Sequence, residues 1–219
     1  VGASRTAEEI ARTLPDASVL ESSAAHRISR TLPARPTVVV ATAGAEPSVD
    51  GCYACAIILD AAALAGRPEL WAPEEAARRW LDALSLVRPG HPGLVVGTIP
   101  EALGQMLVRW SPTDYAQRLL DEREALGFFP ACTMVALDGT AAQVRQVADQ
   151  VVREGGAELV GTVAIPATRE GEQNQVRTLV RTPLPETAAM LQVLTDIRRS
   201  RSARKVPLVK MSVNPPELF

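Results

Sequence analysis

Hydrophobic positions along the 219-residue chain fall into two rhythms. In the first half, three short runs are apolar at nearly every position: residues 37–42, 54–60 and 93–97. Strands apolar on both faces belong in a parallel sheet covered by helices. Helical patterns lie around them. Residues 6–14 predict a short helix charged on one side. Residues 73–87 predict a longer one, with Pro73, Glu74 and Glu75 suited to a first turn and Ala77, Trp80, Leu81, Leu84 and Val87 at helical spacing. Arg88-Pro89-Gly90 ends it. This alternation predicts an α/β lobe over residues 1–111.

The second half, residues 112–219, predicts a different architecture. A charged helix over 114–126 is broken by Gly127-Phe128-Phe129-Pro130. A strand (132–137) follows, then a helix opening at Thr140 with Gln143 placed for a capping box. Val144, Val147, Ala148, Val151 and Val152 share its apolar face, and Gly155-Gly156 stops it. Strands over 158–165 and 176–182 are joined by a polar loop, 167–175. A helix over 186–199 and a strand over 208–213 complete the order β-α-β-β-α-β. That order is the split βαβ, or ferredoxin-like, α+β arrangement.

Composition narrows the function classes. The chain is 47% hydrophobic and 22% charged, which is globular. Its net charge of −2 gives no whole-surface attraction to nucleic acid, so any such contact must be a local patch. Three cysteines, Cys52, Cys55 and Cys132, are too few and odd in number for a secreted disulfide framework. No apolar run is long enough for a membrane span, and a cytoplasmic location is expected.

Most candidate chemistry fails on spacing. A P-loop needs Gly-Lys to neutralise phosphate, and the chain has no Gly-Lys pair. The junction after the strand at 37–42 is where an α/β protein places a ligand loop. Here it offers Ala43, Gly44, Ala45, Glu46 and Pro47, without lysine, arginine or a hydroxyl pair. Cys52-Tyr53-Ala54-Cys55 has redox or half-zinc spacing, but Cys132, His26 and His91 are scattered and the pair leads into a strand, so it reads as small core residues. No nucleophile elbow accompanies either histidine. Asp50, Asp60 and Glu46 could make a carboxylate site, and an aspartate ending a strand, as Asp60 does, also commonly caps the next helix. No catalytic residue and no metal site is assigned.

A basic run stands out. Arg198, Arg199, Arg201, Arg204, Lys205 and Lys210 gather near the last helix and strand, with Arg198, Arg201 and Lys205 on one face if the helix continues. They suit a phosphate-backbone footprint. They equally suit a helix C-terminus whose dipole they complement.

Several segments together resemble a known family. DYAQRLLDEREALGFFP followed by ACTMVAL resembles the entry into the C-terminal domain of the primosomal protein N′ (PriA) family of replication-restart helicases. The tail SRSARKVPLVKMSVNP is similar to that family's closing arginine-lysine, strand, x-x-Asp-Pro pattern, with Asn214 where aspartate is usual. The front half resembles the second helicase lobe, a RecA-like parallel sheet, of the divergent actinobacterial branch. Family members carry Gly-Thr-Gln-Met-x-x-Lys-Gly where this chain has Thr42-Ala43-Gly44-Ala45-Glu46-Pro47. They also carry an arginine-bearing Gln-x-x-Gly-Arg-x-Gly-Arg segment, of which Arg88 is the one candidate remnant. Losing an arginine finger costs about three to five orders of magnitude in phosphoryl transfer.

The resemblance therefore implies a degenerate lobe over 1–111 and a DNA-contacting C-terminal domain over 112–219. Arg198, Arg199, Arg201, Arg204 and Lys205 are the expected DNA contacts and Arg88 the nucleotide-contact remnant. It implies branched or single-stranded DNA, single-strand-binding protein and other primosome proteins as partners, with no membrane. It implies no cofactor in this chain, with the family's ATP, magnesium and zinc held by upstream segments. Two rival readings follow: an ATP-dependent 3′-5′ helicase lobe completed by a missing N-terminal half, and an interaction scaffold for single-strand-binding protein.

Overall fold

The computed structural model describes residues 2–28, 32, 35–166 and 175–218. The chain divides into two compact units, Val1–Pro112 and Thr113–Phe219. Its class is mixed α/β, with small parallel and antiparallel sheets. The first unit contains α1 (Ala3–Thr13), β1 (Ser18–Ser22), β2 (Thr37–Ala41), β3 (Ala56–Ile58), α2 (Ala61–Ala65), α3 (Ala72–Ser85), β4 (Gly93–Val95) and α4 (Glu101–Arg109).

The expected parallel pairing is present, but in two separate sheets. β1 pairs with β2 and β3 with β4, each in parallel. The expectation that these strands are covered on both faces does not hold for the second pair. Ile57 is 57% exposed and Leu94 50% exposed. Helix α3 follows its pattern, burying Ala72, Ala76, Ala77 and Trp80, with Glu74 and Glu75 in the first turn. A Cβ at Gly93 of β4 would meet only the end of the Leu84 side chain of α3, which would have to shift.

The second unit takes in α5 (Pro112–Leu126) from Thr113 onward. It continues with β5 (Cys132–Thr140), α6 (Ala141–Gly155), β6 (Glu158–Ile165), β7 (Gln175–Pro183), a 3₁₀ turn (Leu184–Glu186), α7 (Thr187–Ala203) and β8 (Lys210–Val213). The four strands form one antiparallel sheet in the order β6-β7-β5-β8. The polar connection expected over 167–175 lies outside the described residues except for Gln175.

Central strand β5 is buried on both faces, and alternation sorts its side chains. Val135 and Leu137 join Val180 of β7, Val144, Val147 and Val151 of α6, and Met190, Leu194 and Ile197 of α7 in the main core. Full burial of each such side chain is worth about 1.5–3 kcal/mol. Cys132, Met134 and Ala136 face the other way, with Leu179, under Phe128, Val160 and Leu218. The helices therefore share one sheet face. They touch closely at Gly155, where a Cβ would lie 3.3 Å from the Met190 Cα. The capping box expected at Thr140 and Gln143 does not form, since Thr140 is the N-cap without a side-chain cap hydrogen bond. Gly156 ends the helix in the left-handed region, at φ +64.

Candidate nucleic-acid interface

The basic run is divided by the end of α7. That helix closes in a Schellman motif: Val206 N–H donates to the Arg201 carbonyl at 3.0 Å and Lys205 N–H to the Ser202 carbonyl at 3.1 Å. Lys205 occupies the left-handed position at φ +55, which is ordinarily glycine's. The chain turns there, so Lys205 does not continue the face of Arg198 and Arg201 as the helical spacing had implied.

Arg198, Arg199, Arg204 and Lys205 are exposed. Arg199 lies 3.7 Å from Asp196. Arg201 turns inward and is 8% exposed. Its Nε and Nη2 donate to the Pro207 carbonyl at 3.2 and 2.8 Å, and Nη1 donates to Gln146 Oε1 of α6 at 3.2 Å. Of the five residues expected to contact DNA, Arg201 therefore has its guanidinium committed to the fold. It ties the α7–β8 loop to α6, while its four neighbours face solvent. Charge spacing alone does not separate these roles. Pro207, six residues on, is the carbonyl that captures it.

Lys210 is also set apart. It begins β8 opposite Asp138, with Nζ 3.7 Å from Asp138 Oδ2. Asp138 is 7% exposed and accepts from Arg177 Nε at 2.8 Å and Nη2 at 3.0 Å. Hydrogen bonding to Arg177, then its charge and that of Lys210, holds the Asp138 carboxyl below its ordinary range against the opposing effect of burial. Arg177 Nη1 also donates to the Glu217 carbonyl at 3.1 Å, fastening the chain beyond β8. Asn214, where the family pattern has aspartate, sits at φ +45. Its Oδ1 accepts the Met134 N–H at 3.0 Å and its own N–H donates to the Met134 carbonyl at 2.8 Å. An aspartate carboxylate offers the same acceptor, so the departure keeps the clasp.

In the first unit, the loop after β2 is closed on itself. Gly44, at φ +86, donates its N–H to both carboxylate oxygens of Glu46, at 3.1 and 2.9 Å. Arg27 donates to the Gly44 carbonyl at 3.1 Å and Arg79 to the Ala43 carbonyl at 2.8 Å. Neither arginine is near in sequence, which is why reading the loop alone missed them. Arg88, the candidate remnant, is exposed and donates to the Gly51 carbonyl at 3.1 Å. Arg88 also lines a cavity of about 630 Å³, together with Val87, His91, Val95, Ile99 and Leu107.

The remaining candidates stay apart. Cys52 and Cys55 are exposed, not core as their composition had suggested, and Cys132 is buried with its thiol donating to the Gly127 carbonyl at 3.1 Å. Burial pushes the Cys132 thiol up, away from the reactive thiolate. Asp60 stands at the N-cap of α2 at φ +51, without a side-chain cap hydrogen bond. Among the described residues no three His, Cys, Asp or Glu side chains gather as a metal-binding group. No helix among them is long and apolar enough to cross a membrane.

The family model for the primosomal protein N C-terminal domain matches residues 124–216, which include β5 through β8. The probable replication restart protein PriA of Mycobacterium leprae (strain TN) is 40% identical over 169 residues, covering 76% of this chain and 26% of that protein. Its counterparts in Mycobacterium tuberculosis (strain CDC 1551 / Oshkosh) and Mycobacterium bovis (strain ATCC BAA-935 / AF2122/97) are 35% identical over 232 residues, covering 98% of this chain and 35% of each. The chain thus spans about a third or less of the length of these relatives. It belongs to the replication restart protein PriA family, as a divergent actinobacterial form of the family's C-terminal portion.

Proposed function

We propose that this chain is the DNA-binding portion of a replication restart protein. It recognises branched DNA at stalled forks and supports reloading of the replicative helicase, without helicase activity of its own. The observation that carries the reading is the exposed group Arg198, Arg199, Arg204 and Lys205 in a chain of net charge −2. Among the described residues only Arg199 of these four has a carboxylate within ion-pair distance. The others are free to replace counterions on a phosphate backbone.

On this reading the second unit is a ferredoxin-like domain, supported by its element order and by the strand order β6-β7-β5-β8. The first is a degenerate RecA-like second lobe, supported by its parallel pairs and by a β2 loop closed by its own carboxylate. Arg88 spends a donor on the Gly51 carbonyl and has no companion arginine in the expected pattern. Single-strand-binding protein and other primosome proteins are the partners this reading expects, in the cytoplasm.

The test is forked-DNA binding by the whole chain, followed by fluorescence anisotropy across a salt titration. The variant R198A/R199A/R204A/K205A leaves Arg201 in place. Each lost duplex phosphate contact removes about 0.9 from the slope of log affinity against log salt. The expected result is a slope smaller by about 2–4 and a large loss of affinity at low salt. An unchanged slope at unchanged affinity overturns the reading.

A further inference from the structure

Cys52 and Cys55 are both exposed, while Cys132 is buried with its thiol bonded to the Gly127 carbonyl. The exposed pair brackets Tyr53 and Ala54 on the segment that enters β3. The backbone is sharply turned there. Gly51 and Cys52 are consecutive left-handed residues, at φ +87 and φ +63, and the chain bends again at Ala54. A side chain is disfavoured at the left-handed position, and such strain collects at sites of chemistry. A disulfide needs Cα atoms about 4–7 Å apart, a separation that residues i and i+3 reach across a tight turn. Among the described residues no group of three His, Cys, Asp or Glu side chains includes the pair. Its donor set is that of a dithiol, not of a four-ligand zinc centre.

Tyr53, enclosed by the two cysteines, is tied in two directions. Its N–H donates to the Leu86 carbonyl at 3.0 Å, and its carbonyl accepts from the Arg88 N–H at 2.9 Å. These bonds bridge it in parallel to Val87, just past α3. Its O–H donates to the Pro47 carbonyl at 2.9 Å, which is the bond that reaches the loop after β2. Arg88 Nη2 donates to the Gly51 carbonyl at 3.1 Å, so the residue before Cys52 is held as well. Any tightening of the chain between Cys52 and Cys55 must therefore turn Tyr53 against bonds to two other segments.

We propose that Cys52 and Cys55 form a thiol–disulfide exchange site, which a small disulfide closes into a Cys52–Cys55 bridge, and that closure loosens the tie from Tyr53 to the β2 loop. One cysteine thiolate attacks the small disulfide, forming a mixed disulfide and expelling one thiolate of the reagent. The second cysteine thiolate then attacks the protein sulfur of that mixed disulfide, forming the bridge and expelling the other half. The two cysteines give up two electrons and two protons, and the small disulfide takes up both and leaves as two thiols. The new ring encloses Tyr53 and turns its backbone, carrying the phenol away from the Pro47 carbonyl. This site belongs to the first unit and does not depend on the α7 cations.

The experiment treats the whole chain with oxidised glutathione, quenches with acid, counts free thiols and measures the intact mass. The expected result is a fall from three free thiols to one, the buried Cys132, in a chain lighter by two hydrogens and free of glutathione. Dithiothreitol should restore all three. C52S and C55S each keep a single attacking thiol, so each should instead retain one glutathione. Hydrogen exchange over residues 43–49 should be about threefold faster or more in the closed form, and unchanged by the same treatment in C52S/C55S. Survival of all three thiols, a stable double adduct, or chains linked to one another on a non-reducing gel overturns the exchange site. These readings come from the unaltered chain, so they stand whatever the variants do. A bridge that forms without any change in exchange over 43–49 overturns the link through Tyr53.

Discussion

Replacing Arg201 separates the fold from the footprint. In R201M the aliphatic part of the side chain is kept, while three hydrogen bonds from a guanidinium are lost, two to the Pro207 carbonyl and one to Gln146. Hydrogen bonds from a charged group contribute about 1.5–3 kcal/mol each before the returned cost of burying the charge is subtracted. The two bonds to Pro207 share one acceptor, so they count as little more than one. The Gln146 amide and the Pro207 carbonyl are also left to find water at a site where Arg201 is 8% exposed. The net loss is about 2–4 kcal/mol. All three tryptophans, Trp71, Trp80 and Trp110, lie in the first unit, so their fluorescence reports the other half of the chain. Hydrogen exchange of peptides from β5, α6 and α7 is the direct measurement. Protection there should fall by a factor of roughly 30–1000, while R198M moves it less than threefold. R201K, which keeps the charge without the fork, should fall between the two. If R201M leaves protection unchanged and weakens only DNA binding, Arg201 is a DNA contact and the structural argument is wrong.

Three further outcomes follow from the same geometry. K205G places glycine at the left-handed position of the Schellman motif and should stabilise the second unit by about 1 kcal/mol in chemical denaturation, while lowering the salt dependence of DNA binding. Asp138 has a depressed carboxyl, so its stabilising contribution is present above about pH 4 and is lost as pH falls below that. D138N should therefore lower stability at neutral pH by about 2–4 kcal/mol and flatten the acid limb of the stability profile. N214A orphans the Met134 N–H and should cost about 1–2 kcal/mol, whereas N214D retains most of the stability, as denaturation midpoints will read.

The second unit was far more legible than the first, for a physical reason. Three of its four strands run eight or nine residues, and its helices bury a regular stripe: Val144, Val147 and Val151 recur at helical spacing and all three are buried. In the first unit the strands are three to five residues long. An apolar run such as 54–60 yields only Ala56–Ile58 as strand, and Leu59 is 53% exposed. Strand β1 went unrecognised because Ser18 and Ser22 bracket it and interrupt the apolar pattern. Their burial is explained by distant partners, Ser18 Oγ accepting from Arg35 and Ser22 Oγ donating to Ala45. The site shows the same division. A row of arginines is visible in any sequence, but which of them is captured by a carbonyl depends on where the chain turns.

That turn also relates the two kinds of cation to each other. Lys205 stays in a left-handed conformation that disfavours a side chain by about 1 kcal/mol. The Schellman bonds from Lys205 and Val206 offset this, and Arg201 holds the following segment by Pro207. With that segment fixed, Arg204 and Lys205 leave the helix end on the solvent side, near Arg198 and Arg199 in sequence. The buried Arg201 thus fastens the segment that follows Arg204 and Lys205. For the proposed DNA binding, the consequence is an asymmetry in how substitutions act. Removing one exposed cation lowers affinity and salt slope together, by one contact's share. Loosening the Arg201 anchor lowers affinity while nearly preserving the slope of the bound state, because every phosphate contact is still made once the loop is reordered. The cost then appears as ordering free energy, insensitive to salt.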